Sequence, residues 1–141
     1  MTESTPGATD RFGLEILPPE ECDRLLAGGT IGRIAFVAAG EPVIVPVNYR
    51  YHRGAIVLRT AQGEKLDAAG LAAPCAFEID HWDETTRQGW SVLVKGTMEE
   101  VYRPDEIAEL ETLGVRPWSN PAARHIWIRI RPDEISGRRL R

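Results

Sequence analysis

The chain has 141 residues, 43% hydrophobic and 27% charged, which suits one domain with its own core and excludes fibrous or wholly disordered classes. A formal net charge of -4 argues against a non-specific nucleic-acid binder, which needs a basic face to displace counterions from the phosphate backbone. Two cysteines without CxxC spacing, no apolar leader segment and no long apolar run argue against a zinc or disulfide framework and against a membrane span, so a cytoplasmic protein is expected.

Residues 1–11 are Thr, Ser, Gly, Pro and acid, too polar to pack, and read as a disordered tail ahead of one folded domain over 12–141. A short apolar segment at 14–17 precedes Pro18-Pro19-Glu20-Glu21, a helix start, with Cys22, Leu25 and Leu26 to bury and Gly28-Gly29 as the stop. Residues 31–37 and 43–49 favour strands, and 38–41 is their hairpin connection. In the second strand Val43, Val45 and Val47 share one face while Ile44, Pro46 and Asn48 share the other. Pro46 has no N–H for a ladder and marks an edge or a bulge.

A third strand is expected at 55–60 after a turn at 52–54, then a short helix at 63–72, a fourth strand at 75–80 and a polar loop at 81–89. A fifth strand covers 90–102, where Gly96 suggests a bend or bulge. A helix at 104–113 ends at Gly114, residues 124–131 alternate as a half-buried strand, and 135–140 form or extend the last strand. Six or seven strands, three short helices and no βαβ alternation point to a mainly β protein, a closed or partly closed antiparallel barrel.

The element Arg59-Thr60-Ala61-Gln62-Gly63-Glu64-Lys65 carries a hydroxyl, a glycine and a lysine from a strand end into a helix start, where unpaired N–H groups suit a phosphate; it also makes an ordinary exposed helix start. The GxxxxGK[ST] and GxGxxG spacings are missing, and Ser91 and Ser119 lack a GxSxG context. His52, His81 and His125 have no partner at ligand spacing, so no metal site is expected. Glu78 and Asp80 share one strand face and read as a solvated or ion-paired pair ahead of an acid–base pair. Six arginines within 124–141 leave that end cationic, and four tryptophans give more aromatic bulk than the core needs, enough for a flat ring ligand or a dimer interface.

Taken in order, IGRIAFVAAGEPVIVPVNYRY, AIVLRTAQGEKLDAA, CAFEID, GWSVLVKGTMEEV and IRPDEISGRR resemble the pyridoxamine 5'-phosphate oxidase-like flavin-binding proteins of split β-barrel fold, over about residues 14 to 140. The closest branch is that of small actinobacterial-type flavin proteins and the nitroimidazole-reductase-like group. The resemblance implies a six- to seven-stranded antiparallel split barrel, homodimeric, with FMN at the subunit interface. It implies cofactor contacts from Ile44, Val45, Pro46, Val47, Asn48 and Tyr49, from Arg59 and Thr60, from Gly63 and Lys65 at the phosphate, from Trp90 and Ser91, and from Arg138. A deazaflavin-dependent reductase and a non-catalytic flavin or haem carrier or sensor are the alternatives the resemblance leaves open. The vitamin oxidases carry a basic pair where this chain has Glu64-Lys65, and the nitroimidazole-reductase-like group often has His where it has Arg59, so neither activity is implied. The expected partners are a second copy of the chain and a small-molecule substrate, with no nucleic acid and no membrane.

Overall fold

The computed structural model describes residues 8–61, 73–118 and 122–141. The expected helix at 63–72, and with it Gly63 and Lys65, lies outside the described residues. Seven strands run in the order β3-β2-β6-β7-β8-β5-β4 in one antiparallel sheet, and β1 adds to β8. They are β1 Glu15–Ile16, β2 Ile31–Ala38, β3 Glu41–Asn48, β4 Arg50–His52, β5 Ala55–Ala61, β6 Ala73–Asp83, β7 Gln88–Val101 and β8 His125–Leu140, with helices α1 Pro19–Gly28 and α2 Pro104–Glu111. The sheet curls until β3 meets β5, the partly closed barrel that the strand pattern and the resemblance both imply.

Local chemistry explains the connections. The β2–β3 and β4–β5 hairpins turn on Ala39-Gly40 and Arg53-Gly54, each with positive φ at both central residues, the geometry whose twist matches a two-residue hairpin. Pro19 at the first turn of α1 and Pro104 at the first turn of α2 sit where a missing N–H costs nothing, and acids follow in each first turn.

Two expectations need correction. The polar stretch 81–89 is a β6–β7 hairpin and not a loop, because Asp83 ties the turn: its Oδ1 accepts N–H bonds from Thr85 and Thr86, and its carbonyl accepts that of Arg87. As expected, the segment 135–140 extends the last strand, so that β8 runs sixteen residues and absorbs Pro132 at a register shift opposite Lys95 and Gly96. Ala8 to Arg11, assigned by composition to the tail, are held in a turn in which Thr9 bridges Glu15 and Asp10 Oδ1 accepts from Phe12 and Leu14.

The main core fills the concave side, with Ile34, Phe77, Leu58, Val92, Val94 and Ile130 under α1. Tyr49 is fully buried there, edge-on to Phe77 at 4.8 Å, and its hydroxyl donates to the Leu26 carbonyl at 2.7 Å. A second, smaller core lies on the convex side, where α2 and the segment after it cover Val57, Val101 and Trp127 with Leu110 and Val115.

Candidate functional site

On β2, β3, β6, β7 and the last part of β8, no helix among the described residues covers the convex side of the sheet. Its alternate positions form rows across the strands: Ile44, Ala35, Ala76 and Lys95 in one, and Pro46, Arg33, Glu78 and Leu93 in the next. β3 is the edge strand, as the prolines require. Proline gives no N–H to a ladder, so Pro42 and Pro46 belong on the side of β3 facing away from β2. Alternation then turns the main-chain groups of Ile44 and Asn48 to the same open edge. Ile44 is 67% and Val37 61% exposed, and between Val37, Pro42, Pro74, Ala76 and Lys95 lies an apolar concavity of about 570 Å³.

At the centre of this face Arg33 on β2 reaches two carboxylates on β6, Glu78 at 2.6 Å and Asp80 at 2.9 Å. One cation thus serves two anions. Burial first, and then the adjacent Asp80 carboxyl, push Glu78 above its ordinary range against the pull of Arg33. Ser91 on β7 stands between Asp80 on β6 and Arg138 on β8. Arg138 is oriented by Asp10, whose Oδ2 accepts from its Nε at 3.0 Å.

The residues expected at the cofactor fall into two groups. Ile44 and Pro46 line the open edge of β3, and the Asn48 side chain donates to the Arg116 carbonyl at 2.9 Å. Arg59 lies on the same convex side of β5, against the segment that supplies Arg116. Its guanidinium stands over the Trp127 ring at 5.1 Å and 3.8 Å from Glu111, and its Nε is buried with no hydrogen-bond partner among the described residues. Ser91 and Arg138 form the second group. Arg59 pairs with Trp127, and Arg138 is eleven residues further along β8, about 36 Å of strand at roughly 3.3 Å per residue. From the edge of β3, Ser91 is three strand spacings away, about 14 Å. Within one chain the two groups occupy different parts of the sheet.

Other expected residues serve the barrel interior. Val45 packs against the main core and Val47 is buried in it, Tyr49 is committed to Leu26, and Thr60 is buried opposite Ile126. Burial pushes the Tyr49 hydroxyl up to about 12. Trp90 points to the face opposite Ser91, where it meets His81 at a ring distance of 6.3 Å and lines a cavity of about 360 Å³ with Arg139 and Arg141. Arg33 had no sequence signal beyond one charge in an apolar alternation, and Asp10 none at all, since its partner is 128 residues away. Among the described residues no group of His, Cys, Asp or Glu could hold a metal, and no helix is long and apolar enough to cross a membrane.

Residues 18–139 match the family model described as pyridoxamine 5'-phosphate oxidase. An uncharacterized protein of Mycobacterium tuberculosis is 34% identical over 129 residues, covering 88% of this chain and 84% of its own. The FAD binding protein from Mycobacterium smegmatis is 34% identical at a TM-score of 0.77, with 89% of this chain and 99% of that one covered. A conserved protein of unknown function from Corynebacterium diphtheriae is 30% identical at a TM-score of 0.77, with 91% and 98% covered.

Proposed function

The chain belongs to the pyridoxamine 5'-phosphate oxidase family, and from that premise we propose that it is an oxidoreductase holding FMN between two copies of itself and acting on a small organic substrate. The observation that carries this reading is the division of the site. Arg59 and the edge of β3 stand on one part of the sheet and Ser91 and Arg138 on another, and a second copy would bring one group of each chain to the other. The 34% identity to a protein described as FAD binding supports a flavin.

The residues fit such a group. A buried guanidinium Nε without an acceptor costs free energy that a phosphate or carbonyl oxygen would recover, and Arg59 has one. The edge of β3 offers main-chain groups of Ile44, between Pro42 and Pro46, and of Asn48 just beyond, and the prolines disfavour pairing with another strand. Bound flavin supplies the hydride chemistry. The chain's own part is to hold the ring against the apolar face, pair its anionic end with Arg59, and keep water from the face through Ile44 and Pro46.

Purification followed by a visible spectrum, then titration with FMN, FAD, a deazaflavin cofactor and haem, tests the reading. Flavin bands with FMN bound more tightly than the others are expected. Tighter FAD binding would replace the mononucleotide by the dinucleotide, a deazaflavin band or a Soret band would install the corresponding alternative, and no binding of any of the four would remove the reading.

A further inference from the structure

Resting on the two-copy site just described, the inference concerns what lies at the centre of the contact. Ile44 and Pro46 are on β3 and Ser91 and Arg138 on β7 and β8, all on one open face, with β2 and β6 between them. For each group to meet the other group of a second copy, a two-fold axis must pass through the middle of that face. Residues beside such an axis meet their own copies. Arg33, Glu78 and Asp80 occupy that middle: Arg33 is the cross-strand neighbour of Pro46, and Asp80 that of Ser91.

We propose that the Arg33–Glu78–Asp80 cluster sits on the axis of a face-to-face dimer and takes up protons as the dimer forms, so that assembly, and with it the shared site, is favoured by mild acid. Each cluster carries two carboxylates on one guanidinium and is left with one net negative charge. Apposing two such clusters in a contact that excludes water sets like charges together and removes the solvent that screens them. A proton on one carboxylate of each cluster makes both clusters neutral and lets the protonated carboxyl donate a hydrogen bond. Among the described residues the groups facing the cluster are Arg33 from β2, Ser91, Leu93 and Lys95 from β7, and beyond them Glu134 and the Asp10–Arg138 pair at β8. Glu78, at 32% side-chain exposure, is less open to solvent than Asp80 at 54% and is the group that holds the proton. Its carboxyl is already raised in the single chain.

The sign follows from linkage: protons bound on association strengthen the dimer as pH falls and weaken it as pH rises. Sedimentation velocity on the full chain, with and without FMN, from about pH 6 to about pH 8 should show the dimer weakening about tenfold or more per pH unit. Glu78→Gln keeps the size and hydrogen bonding of the neutral acid, so its dimer should be tight and almost independent of pH. Asp80→Asn should flatten the same curve by removing the charge that drives proton uptake, and circular dichroism melts establish that both variants are folded. A wild-type dimer indifferent to pH, or a folded Glu78→Gln protein with the wild-type slope, overturns the inference and leaves the two-copy site standing. A monomer at every pH with FMN present overturns both.

Discussion

Arg59 is held where its guanidinium stacks on Trp127 and its Nε has no acceptor among the described residues, an arrangement that gains free energy once an oxygen anion arrives. Arg59→Met keeps the stem against the indole and removes the charge. FMN affinity should fall about ten- to a hundredfold, the worth of one charge-assisted hydrogen bond. Riboflavin, which lacks the phosphate, should lose far less, and isothermal titration of both ligands checks this; equal losses would place Arg59 away from the phosphate. Tyr49 shows the opposite use of a polar side chain. Its hydroxyl is spent on the Leu26 carbonyl inside the core. Tyr49→Phe leaves that acceptor unmet and should lower unfolding stability by about 1–2 kcal/mol in a urea titration, with little change in flavin binding.

At the scale of elements, α1 is clamped to β8 from both sides. Gly137 admits the helix so closely that an added Cβ would lie 2.7 Å from Cys22 Sγ and 3.0 Å from Leu17. Gly137→Ala should therefore cost about 1–3 kcal/mol through overpacking, whereas Gly28→Ala, with open space around it, should be neutral or slightly stabilising; paired thermal melts compare them. Glu21 completes the clamp, accepting from Arg24 on its own helix and from Arg139 on β8 at 2.9 Å. Those two guanidinium groups, Arg24 first, lower its carboxyl from the ordinary 4.5 to about 2. A carboxyl lowered by folding contributes stability above about 4.5 that is lost as pH falls toward about 2. Glu21→Gln should remove about 1 kcal/mol at neutral pH, a modest figure because Arg24 is mostly solvated. It should flatten the acid limb of the stability curve in that window, as chemical denaturation at stepped pH would measure.

For the whole molecule, the separation of Arg59 from Arg138 makes a complementation test possible. If each flavin site takes Arg59 from one chain and Arg138 from the other, Arg59→Met and Arg138→Ala chains bind poorly alone. Mixed dimers contain one site with both faults and one with neither. After subunit exchange an equimolar mixture should regain about a quarter of the wild-type sites, since about half of randomly paired dimers are mixed and each has one intact site. Flavin fluorescence counts them. No recovery would mean that both arginines serve the same site from one chain, or that one of them serves none.

Local chemistry in the sequence by itself determined most of the elements. Proline at the starts of α1 and α2, glycine in the β2–β3 and β4–β5 turns and the alternation of Val43, Val45 and Val47 against Ile44, Pro46 and Asn48 depend on neighbours within a few residues, and such signals are written where they act. It also marked Pro46 as an edge or a bulge, and the strand order makes it an edge. The hairpin over 81–89 was hidden because it extends beyond the core, so neither face carries an apolar pattern, and only Asp83 in place on the turn reveals it. Which expected site residues share a surface was decided by the tertiary structure alone. Adjacent Trp90 and Ser91 point to opposite faces, Asp10 reaches Arg138 from the far end of the chain, and Arg33 comes beside Glu78 and Asp80 only because β2 lies against β6, 45 residues on. Strand order is set by long-range pairing that no local window contains, and the charge cluster at the centre of the open face exists only once that order is formed.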